Sequence, residues 1–343
     1  MTQHADLDPE AIAGWMRRNV AGFAGPLTLT KFAQGQSNPT YRIDSPTGPY
    51  VLRAKPPGKL LASAHLVERE FRAMQALAGS GVPVPGVFAL ADDAGSPIGR
   101  AFFVMEYLDG RVLFDPALPG VAPAERAGIY DAMGAALAAL HRVDPQAVGL
   151  GDFGKPGNYF ARQTDRWTRQ YLAAAPEPGR DMTRLARWLA DEMPGDDGRV
   201  ALVHGDYRLD NMVFAHDRPR ILGLLDWELA TLGHPLADLA YQCMQWRLPH
   251  DGDMRGLGGL DRAGLGIPSE ARYVADYAAR TGLVVENWTF SLVFAFFRLA
   301  AILEGVARRA QDGNASNPAA GRGYARMVPV LAGMAVALTE TGA

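Results

Sequence analysis

His204-Gly205-Asp206-Tyr207-Arg208-Leu209-Asp210-Asn211 is the stretch on which the fold turns. It begins where a short apolar run, Val200 to Val203, ends. A second such run, Ile221 to Leu225, stops at Asp226-Trp227-Glu228. A carboxylate (Asp206), an amide five residues on (Asn211) and a second carboxylate fifteen residues further (Asp226) therefore all follow strand-like runs. Phosphoryl transfer from a nucleoside triphosphate needs this set. One aspartate accepts the proton of the attacking hydroxyl, while an asparagine and another aspartate hold magnesium on the phosphates. Arg208, two residues after Asp206, is placed to offset charge on the moving phosphoryl group.

Composition narrows the field. With 343 residues, 48% of them hydrophobic, the chain can bury one large core or two moderate ones, and two domains is the expectation. The net charge of −3 gives no reason to expect a nucleic-acid partner. The single cysteine, Cys243, excludes a disulfide framework and fits a reducing, cytoplasmic compartment. The start, MTQHADLDPEA, has no basic segment leading into an apolar stretch, so no signal peptide is read there. Phe290 to Leu303 is the most apolar helical run, but Arg298 interrupts it and Glu304 follows. A buried helix is expected there rather than a membrane span. Oligomeric state is not legible.

Outward from the opening motif, turn chemistry sets the elements. Asp8-Pro9 reads as a helix start, leading into Ala11 to Asn19. Strands are expected over Leu27 to Gln34, Thr40 to Asp44, Tyr50 to Ala54, Val84 to Leu90 and Ala101 to Tyr107, because turn residues punctuate short β-prone runs. Between the third and fourth, Ser63 caps a helix to about Ala78. After Leu108-Asp109-Gly110 helical stretches dominate: Pro123 to Arg142, Tyr159 to Ala174, Asp181 to Met193, Pro235 to Trp246, Ser269 to Ala279, Trp288 to Ala310 and Gly321 to Leu338. The expected class is α+β: residues 1–108 form a small antiparallel sheet lobe with an inserted helix, and residues 109–343 a larger, mostly helical lobe.

Asp-x-x-x-x-Asn is the spacing of the protein-kinase catalytic loop. His-Gly-Asp and Asp-Trp-Glu, in place of His-Arg-Asp and Asp-Phe-Gly, resemble the aminoglycoside phosphotransferase and choline kinase branch, which implies a two-lobed, protein-kinase-like fold. The resemblance places Gly35, Gln36, Ser37 and Asn38 over the phosphates, although one glycine alone also fits an ordinary hairpin turn. It makes Arg53, in Val51-Leu52-Arg53, the cation on the α- and β-phosphates, with Lys55 as the alternative. Glu70, rather than Glu68, is the expected partner of that cation. Met105, Glu106 and Leu108 lead into the linker where backbone groups meet adenine. The cofactors implied are ATP, with GTP possible, and Mg2+.

On the acceptor side, Tyr159 to Tyr171 is the distinctive helix. At 100° per residue Phe160, Trp167 and Tyr171 fall within roughly 40° of one another, and Arg162, Arg166 and Arg169 gather opposite. The arginine face is either a solvated surface or an anion-binding strip for the acceptor, with Trp167 beside it. Glu228 either reaches a metal, positions the acceptor or is a helix-start charge. Asp238 is expected to buttress the catalytic loop, and His141 is given no chemistry.

Gly35 to Tyr41, Val51 to Gly58, Ser63-Ala64-His65, Arg162-Gln163-x3-Arg166-Trp167 and Gly223 to Leu239 look like one subgroup of this family, the kinase-like domain found fused to or beside acyl-CoA dehydrogenases. No dehydrogenase domain lies in residues 1–343, so a free-standing version is expected. Ala54 departs from the subgroup, which has a second basic residue there. The resemblance implies phosphorylation of the hydroxyl of a 4-hydroxyacyl-CoA, an anionic small-molecule acceptor. An aminoglycoside or other small-alcohol phosphotransferase is the alternative, although arginines on the distinctive helix point away from a polycation. A nucleotide-binding pseudokinase is the third reading, and the presence of Asp206, Asn211 and Asp226 opposes it.

Overall fold

The computed structural model describes residues 7–32, 38–58, 66–312 and 318–342. The chain divides into two compact units. The first takes Met1–Arg111 together with Met212–His216 and Ile221–Ala230. The second takes Val112–Asn211, Asp217–Arg220 and Thr231–Ala343. The segment carrying Asp226 thus belongs to the first unit, an addition that a single cut between residues 108 and 109 does not contain.

The first unit opens with α1 (Pro9–Asn19), whose N-terminus is capped as its sequence demands: the Asp8 carboxylate accepts from the Glu10 N–H at 3.0 Å and proline follows at the first turn. Its buried face, Ile12, Trp15 and Met16, packs on the sheet, with the Trp15 ring edge-on to Phe102 at 4.6 Å. The sheet comprises β1 (Thr28–Lys31), β2 (Thr40–Ser45), β3 (Gly48–Ala54), β4 (Val87–Ala91) and β5 (Phe102–Glu106) in the order β1-β2-β3-β5-β4, all pairs antiparallel.

The inserted helix α2 spans Val67–Leu77. Its expected cap, Ser63, lies outside the described residues, and the helix starts later than expected, at Val67, with Leu66 in the cap position and no side-chain cap bond. Val67, Glu70, Met74 and Leu77 recur at helical spacing and are all buried, so Glu70 sits on the core face of α2 among apolar residues. Two short strands, β6 (Arg111–Val112) and β7 (Ala201–Val203), precede β8 (Met212–Phe214) and β9 (Ile221–Leu224). β8 and β9 pair antiparallel within the first unit, where the Leu224 N–H also donates to Pro83 O at 2.9 Å. This pairing carries Asp226 to its place at the end of β9.

The second unit is mostly helical: α3 (Pro123–His141), α4 (Tyr159–Ala174), α5 (Arg180–Asp191), α6 (Leu236–Cys243), the short α7 (Arg262–Leu265), α8 (Glu270–Thr281), α9 (Trp288–Gln311) and α10 (Pro318–Thr341). β7 pairs antiparallel with β10 (Thr231–Gly233), fixing the entry to the opening motif. α9 is long and apolar enough to cross a membrane by composition, yet most of its apolar window is buried among the other helices, against α4, α5, α6 and α10. Arg298 in its middle is itself buried. α7, a single turn with no buried residue, is the one α-helix among the described residues without a counterpart in the sequence expectation.

Candidate active site

In the second unit, the loop after β7 is held from behind by Asp238 of α6. One Asp238 oxygen accepts from the His204 N–H at 2.6 Å and the other from the Gly205 N–H at 2.8 Å. Gly205 has φ +83°, a left-handed conformation that a side chain would oppose, which explains the glycine between His204 and Asp206. Burial alone would raise the Asp238 carboxyl, but His141 at 3.3 Å, His204 and these backbone donors outweigh it and hold it below its ordinary range. His141 also bonds the Tyr277 hydroxyl at 2.6 Å and so stays structural.

Asp206 has both oxygens engaged. Oδ1 accepts from the Tyr241 hydroxyl at 2.7 Å, and Oδ2 accepts from Asn211 Nδ2 at 2.9 Å and Arg208 Nε at 3.2 Å. Burial opposes its charge, but the Arg208 guanidinium, the Tyr241 hydroxyl, His204 and Asn211 together keep its carboxyl below the usual range, so it is ionised at neutral pH. Asn211 spends its amide nitrogen on Asp206, on the backbone O and on Oδ2, both at 2.9 Å. Its amide oxygen is left as the end a cation would meet. Arg208 is shared between Asp206 and Asp210, each at 3.2 Å.

The first unit holds the other half of the expected set. Arg53 Nε lies 2.9 Å from Glu70, and Nη2 lies 2.7 Å from Asp226 Oδ1. Nη1 reaches Thr40 Oγ1 at 3.3 Å. Burial works against the Arg53 charge, while Glu70 and Asp226 more than restore it. Glu70 is 1% exposed and takes a further hydrogen bond from Asn38 Nδ2 at 2.8 Å; burial pushes its carboxyl up against the pull of Arg53. Lys55 turns to Glu68 and to Asp93 instead, the latter at 3.2 Å. Of the cation on β3 and the one just past its end, Arg53 is therefore the one joined to Glu70 and Asp226. Asp226 itself adopts φ +64° and ψ +65°, left-handed for a residue with a side chain. Glu228 falls beside it, and oxygens of Glu70, Asp226 and Glu228 all lie within 4.8 Å of one another.

Gly35, Gln36 and Ser37 lie outside the described residues. Asn38, next to them, is buried and serves Glu70. Met105 is buried, while the exposed Glu106 ends β5 and ties its carboxylate to the Gly86 N–H at 3.0 Å. Leu108 packs so close to Gly223 that a Cβ there would come within 2.5 Å of it.

The arginine strip on α4 does not act as one surface. Arg162 folds back on the carbonyls of Lys155 and Pro156, and Arg169 pairs with Asp165 at 2.6 Å in an exposed i, i+4 bridge. Only Arg166 leans over the Trp167 ring, at 5.1 Å. Phe160, Trp167 and Tyr171 are buried, as their shared face requires. Two residues of the site had no part in the sequence reading. Tyr241 was detectable in principle, since it follows Asp238 by three residues and so shares its helix face. Arg298 was noted only as a break in an apolar run, and it donates to the Gly205 carbonyl while its guanidinium faces the rings of Trp167 and Tyr241 at 5.7 and 5.5 Å.

Residues 28–283 match the model of the phosphotransferase enzyme family, APH. A curated relative, acyl-CoA dehydrogenase family member 10 of Mus musculus, is 47% identical over 86% of this chain and 28% of its own length. The chain spans less than half the length of the curated relatives it matches. A solved structure from Ralstonia eutropha JMP134, described as a candidate aminoglycoside phosphotransferase, is 48% identical with TM-score 0.87 over 97% of this chain and 98% of that one. The spectinomycin phosphotransferase APH(9)-Ia, solved with ADP and spectinomycin, shares the fold at 10% identity, with TM-score 0.64 over 98% of this chain and 100% of that one.

Proposed function

The chain belongs to the phosphotransferase enzyme family, and from that premise we propose that it transfers the γ-phosphoryl group of ATP to the hydroxyl of a hydroxyacyl-CoA, of the 4-hydroxyacyl type. That it is a small-molecule phosphotransferase of the kinase-like fold, using a nucleotide and an alcohol acceptor, follows from the family. The finer reading rests on one observation: a relative named acyl-CoA dehydrogenase family member 10 matches this chain at 47% identity. The pairing of such a domain with an acyl-CoA enzyme favours an acyl-CoA alcohol over an antibiotic.

Asp206 is the proposed base. Ionised and fixed by Tyr241 and Asn211, it takes the proton as the acceptor oxygen bonds to the γ-phosphorus and the bond to the β-phosphate oxygen breaks, releasing ADP. Arg208 offers positive charge to the transferring group. Asp226 contributes a carboxylate oxygen and Asn211 an amide oxygen, hard donors suited to Mg2+. The acidic surplus of Glu70, Asp226 and Glu228 around a single Arg53 fits a cation as well. When bound, the metal would neutralise phosphate charge. Arg53 is the proposed grip on the α- and β-phosphates, and the segment 35–38 and Met105 to Leu108 the proposed nucleotide contacts.

The test is ADP release with magnesium ATP against a panel of hydroxyacyl-CoA thioesters, free hydroxy acids and aminoglycosides. Turnover confined to the thioesters is the expected result. Turnover of aminoglycosides alone replaces the substrate reading, and nucleotide binding without turnover on any acceptor replaces the enzyme reading with a pseudokinase.

A further inference from the structure

Buried arginines are ordinarily matched by carboxylates, because an uncompensated charge away from water is costly. Arg298 is 4% exposed and has no carboxylate partner among the described residues. Of its five N–H donors, one is spent on the Gly205 carbonyl. Arg166, exposed on α4, likewise makes no ion pair among the described residues. Both guanidiniums lie against the same Trp167 ring, Arg166 at 5.1 Å and Arg298 at 5.7 Å. Cation–π contact compensates such charges only in part. Repulsion is felt between them: burial first, then the Arg298 charge, lowers the Arg166 value.

An independent observation points to the same spot. Tyr159, 6% exposed, packs edge-on against Phe294 at 6.4 Å, one helical turn before Arg298 on α9, and its hydroxyl, within reach of the charges of Arg298, Asp238, Arg166 and Arg162, has no hydrogen-bond partner among the described residues. Two guanidiniums lie on one ring with a hydroxyl in their electrostatic reach, and apart from the Gly205 carbonyl no acceptor among the described residues answers them. Tyr241 ties this place to the chemistry, since its ring faces Arg298 at 5.5 Å while its hydroxyl bonds Asp206 at 2.7 Å.

We propose that Arg166, Arg298 and the Tyr159 hydroxyl form an oxyanion subsite for the acceptor, which takes a carboxylate or phosphate group carried by the molecule whose hydroxyl meets Asp206. The subsite rests on the hydroxyl-phosphorylating reading given above and deepens it. Arg162 and Arg169 have no part in it, being satisfied by the segment before α4 and by Asp165 on it. Arg166 is the solvent-side member that an entering anion meets first, and Arg298 adds its charge from behind while keeping Gly205 in place.

The test compares parent and Arg166→Gln on three acceptors sharing one hydroxyacyl group: the CoA thioester, the uncharged pantetheine thioester and the free hydroxy acid. Losing one charged hydrogen-bonding partner should cut the preference for charged over uncharged acceptor, measured as the ratio of kcat/KM values, by about tenfold or more, chiefly through KM. The loss should shrink at high salt. A loss confined to the CoA thioester assigns the anion as phosphate, and one confined to the free acid assigns it as carboxylate. An unchanged ratio overturns the subsite. Tyr159→Phe should move the same ratio in the same direction by a smaller factor. Replacing Arg298 risks the loop itself, so these two variants carry the test. Calorimetric binding of butanoyl-CoA and butanoate, which lack the hydroxyl, separates the two readings. Binding that weakens in Arg166→Gln, with no ADP release on any acceptor, keeps the subsite and removes the kinase. ADP release indifferent to acceptor charge keeps the kinase and removes the subsite.

Discussion

Arg53 of the first unit and Arg298 of the second are both buried guanidiniums, and their neighbours differ in sign. Arg53 is held by Glu70 and Asp226, with Glu228 close to both carboxylates, so acid exceeds base around it. Arg298 has two aromatic rings, one backbone carbonyl and another arginine near it. The first environment carries an acidic surplus and the second a basic one. What a buried arginine does is therefore set by what surrounds it.

The comparison can be broken most sharply at Arg53. Arg53→Met leaves Glu70 buried without its cation and should cost about 3–5 kcal/mol of stability, read as a shift in denaturation midpoint. The 1% exposure of Glu70 is the reason to expect that cost. Adding Glu70→Leu to Arg53→Met should recover most of the loss, and a double variant as unstable as the single one would show that the pair is not the source. Next in size is Asp206→Asn, expected to lower turnover ~10²-fold or more while nucleotide affinity stays within a few-fold. Turnover near the parent level would take Asp206 out of the base role.

Arg298→Met removes an unpaired charge instead of creating one. Its cost should be nearer 1–3 kcal/mol, the range for stranding the Gly205 carbonyl. A loss equal to that of Arg53→Met would erase the distinction between the two arginines. The smallest effect concerns acid. Asp206 and Asp238 have lowered values in the folded chain, so their stabilisation is complete above the unfolded value near ~3.9 and fades as pH falls through the lower folded values. Glu70, raised by burial, acts in the opposite sense. Asp238→Asn should therefore flatten the acid limb of stability against pH, and an unchanged limb would mean that other groups set it.

The loop from His204 to Asn211 was legible because its chemistry is carried by spacing along the chain, and the helices and strands because their ends carry caps, glycines and prolines. The Arg53–Glu70 pair was readable from the strand-then-helix order and the core-facing position of Glu70. The acceptor side was not. Periodicity gathers Arg162, Arg166 and Arg169 on one face but is silent on their partners, and two of them are satisfied by their own helix and its approach. Arg298 lies 93 residues beyond the Gly205 carbonyl it holds, and no local pattern announces such a contact. The grouping of Glu228 with Asp226 and Glu70 depends in the same way on folding, as does the turn that holds Asp226 left-handed.

That last turn has a practical consequence for anyone breeding this protein. Asp226 keeps a left-handed backbone at φ +64° and stands among two other carboxylates. Glycine or asparagine would relieve backbone strain and repulsion there, but would also remove the 2.7 Å ion pair that Asp226 makes with the buried Arg53. A library screened for heat tolerance alone reads only that balance and is blind to the metal-holding role proposed for the acid. Any selection for robustness in this chain has to score catalysis in the same round, because stability and activity read different partners of the same carboxylate.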